Sequence, residues 1–251
     1  MRRFEGQRVI ITGGARGIGK ATVARFAAEG AAVVLTDRDR EPAEATAREI
    51  ARETGSAVYP FVGDVSVKAD DVATVEFALE KMGGVDILVN NAGVYYEEPL
   101  EEITEERWDE TLNVDLKGTF LMCQAVVTHF KENGSGIIVN MASTNGIAGE
   151  IYYTHYNAAK GGVVLLTKTL AIELGPFNIR VNCVCPGYIL TESVIAMDLD
   201  EFRQDYIDNK IPLRRVGQPE EVASVIAFLA SDDAAFVHGE SILIDGGQLA
   251  D

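Results

Sequence analysis

The chain has 251 residues, 47% of them hydrophobic, so it can bury a sizeable core and falls within the range of a single α/β domain. Its formal net charge of −17 argues against nucleic acids and anionic membranes as partners, because both would be repelled. The charge places no restriction on small molecules held in a cleft.

The three cysteines are Cys123, Cys183 and Cys185, and none shows C-x-x-C spacing, which predicts reduced thiols in a cytoplasmic protein. Cys183 and Cys185 alternate in "RVNCVCPG", a pattern typical of one face of a strand, so we expect no metal site. The amino terminus leads directly into a strand-like run without a signal-peptide pattern, and no apolar run approaches the ~18 residues of a membrane helix. These features predict a soluble, cytoplasmic protein.

Short runs rich in valine, isoleucine and leucine alternate with helical stretches along the chain. Nearly unbroken apolar runs indicate strands buried on both faces, and their alternation with helices predicts a doubly wound parallel sheet. The predicted strands are 8–12, 32–36, 57–62, 86–90, 136–141, 179–185 and 241–245, and the predicted helices lie near 18–29, 41–54, 67–82, 102–132, 154–174 and 219–230. No linker or repeat divides the chain, so residues 1–251 are expected to form one domain.

One stretch interrupts this rhythm. Residues 188–216 form a long insertion of mixed polarity before the last helix and strand. An insertion of this length in a compact domain is often a lid or a binding element. An additional pair of surface helices is the alternative.

The first strand leads into "GGARGIGKATVARFAAEG", a glycine-rich turn followed by a helix. Such a turn lets backbone approach a pyrophosphate, while the helix amino terminus supplies oriented N–H groups. The glycines at 13, 17 and 19 differ in spacing from G-x-G-x-x-G, but the strand–turn–helix context that the motif requires is present.

Asp37 stands at the end of the second predicted strand. A carboxylate there would accept hydrogen bonds from the adenosine ribose hydroxyls and would repel a 2′-phosphate, which favours NAD. A turn or helix-capping aspartate is the alternative interpretation. Arg16 and Arg38 are cations that could pair with a 2′-phosphate, so NADP stays open.

The motifs "TGGARGIG", "NNAG" at 90–93, Ser143 and Tyr156-x-x-x-Lys160 follow one another in an order that resembles the short-chain dehydrogenase/reductase family. The resemblance continues through "PGYILT" at 186–191 to the terminal "DGG" at 245–247. It implies a Rossmann-type sheet, usually of seven parallel strands, an NAD(P)-dependent oxidoreductase acting on CH–OH groups, and a homotetramer.

The resemblance also implies roles for individual residues. The matching catalytic set is Asn113, Ser143, Tyr156 and Lys160, with Asn113 helping to hold Lys160 through water. The matching cofactor-binding positions are Gly13, Arg16, Gly17, Ile18, Gly19, Asp37, Asp64, Val65, Asn90, Asn91, Ala92, Gly93, Tyr156, Lys160, Pro186, Gly187, Ile189 and Thr191.

The chemistry of Tyr156 and Lys160 can be argued without the family. Hydride transfer at a carbon requires a proton to move at the substrate oxygen, and a free tyrosine, with a pKa of about 10, is a poor base at neutral pH. Residues four apart share a helix face, so the Lys160 charge is expected to lower the Tyr156 pKa and suit it to general acid–base catalysis.

The neighbours of Tyr156 in "YYTHYNAAK" lack this arrangement. Neither Tyr152 nor Tyr153 has a cation four residues later, although both could line a substrate pocket. His155 has a suitable pKa, but adjacent residues do not share a helix face, so we expect it to be exposed or hydrogen-bonded elsewhere.

Polar residues in the expected pocket favour a hydroxyl-rich substrate such as a sugar or polyol over a steroid. The predicted substrate-site residues are Ser143, Asn145, Glu150, Tyr153 and Tyr188, with further lining from Tyr95, Ile147 and part of 192–211. Trp108 is expected to pack its helix against the sheet, and the acidic run 97–107 to be solvated.

Two other functions remain open. A 3-oxoacyl-[acyl-carrier-protein] reductase is the main alternative, but such relatives typically use NADPH and present arginine to the acidic carrier, where this chain has Gly134 and Phe177. The negative charge of the chain would also repel such a carrier. A non-catalytic NAD-binding scaffold is the second alternative, although scaffold members usually lose part of the catalytic set.

Overall fold

A computed structural model describes residues 2–197 and 200–250. Seven strands form one fully parallel sheet in the order β3-β2-β1-β4-β5-β6-β7. This confirms the predicted single-domain, Rossmann-type fold. The strands are β1 (Arg8–Thr12), β2 (Ala32–Asp37), β3 (Val58–Val62), β4 (Ile87–Asn90), β5 (Gly136–Met141), β6 (Ile179–Pro186) and β7 (Ser241–Ile244).

Helices cover both faces of the sheet. Their bounds are α1 (Gly17–Ala28), α2 (Arg40–Thr54), α3 (Lys68–Met82), α4 (Glu105–Thr111), α5 (Thr119–Asn133), α6 (Thr154–Leu174), α7 (Glu192–Met197), α8 (Asp200–Lys210) and α9 (Pro219–Leu229). One apolar core joins the sheet to α1, α2 and α9, and a second joins it to α3, α5 and α6. Val9 and Ile11 face the first core while Ile10 faces the second, which explains why the strands read as unbroken apolar runs.

The strand order reverses between β1 and β4, because the chain first winds outward to β3 and then returns to the centre. In open α/β sheets the crevice for a ligand forms at the carboxyl ends of the strands on either side of such a reversal. The glycine-rich turn follows β1 and the "NNAG" segment spans the end of β4, so both lie at this crevice.

The helix predicted over 102–132 differs in detail. It begins at Glu105, where the Thr104 hydroxyl accepts a hydrogen bond from the Arg107 N–H, and it contains a π-helical segment (Leu112–Gly118) between α4 and α5. Trp108, expected to pack its helix against the sheet, lies on α4 and is 39% exposed, so it is only partly covered.

The insertion 188–216 contains α7 and α8, and residues 198 and 199 of the predicted lining segment 192–211 lie outside the described residues. All three cysteines are free and buried, and Cys183 and Cys185 share one face of β6. Within residues 2–197 and 200–250, none of the helices has the length and apolar character needed to cross a membrane.

Candidate active site

The glycine-rich turn after β1 is built without room for side chains. Gly13 and Gly17 have positive φ angles of 61° and 51°, a conformation that favours glycine. A Cβ at Gly19 would lie 1.9 Å from the carbonyl oxygen of Gly13, so no larger residue fits while the turn keeps this shape. The backbone at the start of α1 is therefore open to close approach by a ligand.

The amino terminus of α1 already attracts an anion from within the chain. The Gly17 N–H donates to Oε2 of Glu192, the first residue of α7, at 3.2 Å. Free N–H groups at a helix amino terminus favour negative charge. A dinucleotide phosphate placed here would compete with this carboxylate.

Asp37 ends β2 beside the glycine-rich turn. Its carboxylate accepts hydrogen bonds from the Ala15 N–H at 3.2 Å and from the Asp39 N–H at 3.1 Å. Arg16 extends from the turn and pairs with Asp39 at 2.8 Å. Asp37 therefore orders a turn, as the alternative interpretation predicted. Its side chain also lines the cavity at the carboxyl ends of the strands, where a ribose-binding carboxylate is expected.

A cavity of about 490 Å³ runs along the carboxyl ends of β1, β2 and β4. Fourteen of the predicted cofactor positions line it: Gly13, Arg16, Gly17, Ile18, Gly19, Asp37, Asp64, Val65, Asn91, Ala92, Gly93, Tyr156, Lys160 and Thr191. Pro186, Gly187 and Ile189 line a second, adjoining cavity instead. Arg38, named above as a possible partner of a 2′-phosphate, also lines the first cavity. Further lining residues that the prediction did not include are Asp39, Tyr96, Val114, Met141 and Ser193.

The two asparagines at the end of β4 have different surroundings. Asn90 is buried in the sheet, where its amide donates to Oδ1 of Asn140 at 2.9 Å and to the Cys123 sulfur at 3.2 Å. Asn91 points to the glycine-rich turn and donates to the carbonyl oxygens of Thr12 and Gly13, both at 3.0 Å. Asn91 therefore ties the two loops of the crevice together.

Tyr156 and Lys160 lie one turn apart on α6, and the Lys160 Nζ is 5.4 Å from the centre of the Tyr156 ring. The Lys160 side chain is almost fully buried and donates to the Met141 carbonyl oxygen at 3.1 Å. Burial is the strongest influence on Tyr156 and raises the pKa of its phenol above 10.0, although the Lys160 charge and a hydrogen bond with Ser143 lower it. The predicted effect of the Lys160 charge on the Tyr156 pKa is thus present, and burial acts against it.

A second cavity, of about 630 Å³, adjoins the first. Every residue predicted for the substrate site lines it: Ser143, Asn145, Glu150, Tyr153 and Tyr188. Tyr206 of α8 and Gln248 near the carboxyl terminus complete its wall, since the Tyr206 hydroxyl donates to Glu150 at 3.2 Å and accepts from Gln248 at 2.8 Å. Tyr156 lines both cavities and therefore stands at their junction.

Comparison with known proteins agrees with this geometry. The model of a family described as "Enoyl-(Acyl carrier protein) reductase" matches residues 13–248. A 3-oxoacyl-[acyl-carrier-protein] reductase of Thermotoga maritima is 44% identical over 98% of both chains. A D-threitol dehydrogenase of Mycolicibacterium smegmatis is 40% identical over 98% of this chain and 94% of its own.

Among solved structures, levodione reductase superposes with a TM-score of 0.94 at 39% identity and 99% coverage of both chains. The chain belongs to the short-chain dehydrogenase/reductase family. It is accordingly an oxidoreductase that acts on CH–OH groups and binds a nicotinamide cofactor. The open glycine cradle, the helix amino terminus and the acidic residue after β2 fit that dinucleotide.

Within this short-chain dehydrogenase/reductase, the role of Asn113 in holding Lys160 through water stays a prediction. Among the described residues no direct hydrogen bond joins Asn113 to Lys160, Asn113 is not part of the lining of either cavity, and its Oδ1 accepts a hydrogen bond from Lys117 at 3.4 Å. Asp115 lies against Lys160 instead, with Oδ2 3.3 Å from Nζ. The π-helical segment turns Asp115 inward. Thr111, Asp115 and Thr119, at four-residue spacing, are all buried in the structure.

The structure also tests the predictions made for the neighbours of Tyr156 and for Ile147. His155 is hydrogen-bonded and fully buried: Nδ1 accepts from the Tyr156 N–H at 2.8 Å, and Nε2 lies 3.4 Å from Glu98. Tyr152 and Tyr153 both line the second cavity, as the pocket interpretation allowed. Ile147 does not line it and is 49% exposed, so that prediction was wrong.

Proposed function

We propose that this protein is an NAD-dependent dehydrogenase/reductase whose substrate is a hydroxyl-rich secondary alcohol, such as a sugar or polyol, or the corresponding ketone. The position of Tyr156 carries the proposal. Its phenol stands where a cavity along the predicted dinucleotide-binding residues meets a second cavity of substrate size, whose lining is mainly apolar with several polar side chains. A single side chain at that junction can move a proton at the carbon–oxygen group that exchanges a hydride.

The residues around Tyr156 have separable tasks. The bound nicotinamide would supply or accept the hydride. Tyr156 would give a proton to the substrate oxygen during reduction, or remove it during oxidation. Ser143, whose hydrogen bond lowers the Tyr156 pKa, would also steady the substrate oxygen. Lys160 would favour the phenolate form by its charge.

The surroundings of Asp37 support NAD over NADP. The carboxylate lines the dinucleotide cavity, where it would accept bonds from ribose hydroxyls and repel a 2′-phosphate. Arg16, the nearest cation on the turn, is already paired with Asp39 at 2.8 Å. Binding a 2′-phosphate through Arg16 would disrupt that pair, which leaves Arg38 as the other cation on the cavity wall named for this role.

The second cavity supports a polyol-type substrate. Glu150, Tyr206 and Gln248 form a hydrogen-bonded chain on its wall, and Tyr153 donates to Glu97 at 3.3 Å on another part of the lining. A site that offers several donors and acceptors favours a ligand with several hydroxyls, because each hydroxyl can add a hydrogen bond to one of those groups.

A 3-oxoacyl-[acyl-carrier-protein] reductase is the second candidate, favoured by the relative from Thermotoga maritima. At the predicted carrier-contact positions the chain has Gly134, which ends α5, and the partly exposed Phe177. Lys131 lies 4.3 Å from the Phe177 ring and is the nearby cation on this face. The net charge of −17 opposes approach of an acidic carrier.

A substrate panel tests the proposal directly. NAD⁺ reduction would be measured with polyols including D-threitol, with aldoses, and with steroid alcohols, and NADPH oxidation would be measured with a 3-oxoacyl thioester. We expect the highest kcat/KM for a polyol or sugar with NAD⁺. A higher value for the thioester with NADPH would establish the carrier-protein alternative. Tight NADH binding without any turnover would establish the scaffold.

We also propose a cytoplasmic homotetramer. Three free thiols support a reducing compartment. Leu165 and Ile172 on α6 are 66% and 80% exposed, and Phe120 on α5 is also exposed, which supports an interface along these helices. Light scattering of the protein as it elutes from a size-exclusion column measures its molar mass in solution. The mass of a monomer would refute the tetramer.

A further inference from the structure

A carboxylate from the insertion 188–216 reaches the glycine-rich turn. Oε2 of Glu192, the first residue of α7, accepts a hydrogen bond from the Gly17 N–H at 3.2 Å. Gly17 is the first residue of the 12-residue helix α1, so its N–H has no carbonyl partner within the helix. The carboxylate therefore occupies a position that favours negative charge.

The residues on either side of Glu192 pack against the same turn. A Cβ at Gly17 would lie 3.2 Å from Cγ2 of Thr191 and 3.7 Å from Oε2 of Glu192. The Thr191 hydroxyl accepts a hydrogen bond from the Val194 N–H at 3.4 Å, which orders the first turn of α7. Gly17, Thr191 and Ser193 all line the first cavity. Glu192 thus stands at the edge of the cavity that the cofactor is expected to fill.

No cation offsets the charge of this carboxylate. In the part of the chain that the structure describes, Glu192 forms no salt bridge, and the Gly17 N–H is the donor that holds it. Arg16, the residue before Gly17, is paired with Asp39 at 2.8 Å. A diphosphate at the glycine-rich turn would add further negative charge, so two anions would share one helix amino terminus.

We propose that Glu192 is an internal competitor of the cofactor diphosphate, which weakens the binding of the dinucleotide and speeds its release. Binding displaces the carboxylate from the Gly17 N–H or leaves it close to a phosphate, and either outcome costs free energy. This role requires only that the chain binds a nicotinamide dinucleotide. It does not depend on the proposed substrate or on the choice between NAD and NADP, because both cofactors contain the diphosphate.

Faster release suits an oxidoreductase that exchanges its cofactor. A dinucleotide that has given or taken a hydride must leave before the next one binds, and product release limits kcat in many enzymes. When the dinucleotide leaves, the Glu192 carboxylate returns to the Gly17 N–H and offsets part of the lost contact with phosphate. Glu192 therefore stabilises the dinucleotide-free enzyme relative to the complex.

Binding measurements test this role without turnover. The fluorescence of NADH and of NADPH gives the Kd of each, and displacement in a stopped-flow instrument gives the release rate. We expect Glu192→Gln to lower both Kd values about two- to fivefold at low ionic strength, mainly through slower release. Added salt should reduce this gain, because it screens exposed charges. Glu220→Gln removes an equally exposed charge from the first turn of α9 and should change neither quantity.

ADP-ribose and adenosine identify the part of the cofactor that competes with Glu192. Each is used to displace NADH from the wild type and from Glu192→Gln. ADP-ribose contains the diphosphate, so it should bind about two- to fivefold more tightly to the variant. Adenosine contains no phosphate and should bind both proteins equally. An equal gain for adenosine would overturn the inference, because it would mean that the substitution opens the cavity to any ligand.

Unchanged or higher Kd values for NADH and NADPH in folded Glu192→Gln would also overturn it. Glu192→Ala is a second variant, which removes the acceptor as well as the charge, and it should tighten binding at least as much. The proposed function fails by a different observation. Tighter binding in both variants, together with no oxidation of any polyol or sugar by the wild type, would refute the proposed function alone.

Discussion

Tyr156 and Lys160 lie one turn apart on α6, with the lysine nitrogen 5.4 Å from the centre of the phenol ring. The phenol stands at the junction of the two cavities. We expect Tyr156→Phe to lower kcat by about 10²- to 10⁴-fold, the usual contribution of a positioned acid–base group. The dissociation constant of NADH, measured by fluorescence, should stay within about threefold, since phenylalanine preserves the ring.

Tyr153→Phe provides the matched control for that experiment, because it removes a phenol hydroxyl from the neighbouring ring, whose centre is 6.2 Å from that of Tyr156. It should retain turnover within about tenfold, the cost of one lost hydrogen bond. Near-normal activity in Tyr156→Phe would mean that another group moves the proton.

Asp37 is expected to set the choice between NAD and NADP. Asp37→Ala removes the carboxylate that lines the dinucleotide cavity, so the ratio of kcat/KM for NAD over NADP should fall at least about tenfold, or about 1.4 kcal/mol. Glu53→Gln, an exposed change at the far end of α2, should leave the ratio unchanged. Asp37 also accepts hydrogen bonds from the Ala15 and Asp39 N–H groups, so its loss could loosen the turn. The melting temperatures of Asp37→Ala and wild type should therefore be compared in parallel. An unaltered ratio would show that Asp37 only orders the turn.

Much of this architecture could be predicted from the sequence, because the patterns that indicate strands, turns and helix faces lie within short segments of the chain. Unbroken apolar runs such as "RVIIT" and "GIIVNM" identify strands buried on both faces, and the observed strands agree within about one residue. Glycine and polar residues at strand ends indicated which loops meet at the crevice. The position of Tyr156 relative to Lys160 follows from helical spacing alone.

The rest depends on contacts between distant segments. The π-helical segment Leu112–Gly118 brings Asp115 toward Lys160. A hydrophobic pattern with the period of 3.6 residues of an α-helix does not show which residues of such a segment face inward. Tyr206 and Gln248 are 42 residues apart and meet only because α8 and the carboxyl-terminal segment fold over the same cavity. No local motif marks either residue as part of a site.

The Tyr206 hydroxyl is expected to contribute to substrate recognition through Glu150 and Gln248, with which it forms hydrogen bonds of 3.2 and 2.8 Å. For the polyol with the highest kcat/KM in the substrate panel, Tyr206→Phe should raise the KM about fivefold, the loss of about 1 kcal/mol per hydrogen bond. The KM for NAD⁺ should not change. A simple secondary alcohol such as 2-butanol, which offers a single hydroxyl, should be affected far less. Equal effects on both alcohols would indicate a general disturbance of the cavity.

Asp71, on the first turn of α3, is expected to make stability depend on pH. The residue is 2% exposed, and burial, followed by the charges of Asp70 and Asp64, raises the pKa of its carboxyl from 3.8 to about 8. Between these values the folded protein holds a proton that the unfolded chain releases. The free energy of unfolding attributable to this group should therefore fall as pH rises through that range, by up to about 1.4 kcal/mol per pH unit.

Asp71→Asn removes this titration while keeping a side chain of similar shape. The variant should be more stable than wild type at pH 8, and the difference should shrink steadily toward pH 5. Urea unfolding at several pH values and one fixed protein concentration measures the slope, because an oligomer would otherwise shift the midpoint. Asp109→Asn, on the exposed face of α4, should keep the wild-type slope. Parallel slopes for wild type and Asp71→Asn would show that the Asp71 carboxyl is ionised in the folded protein across this range.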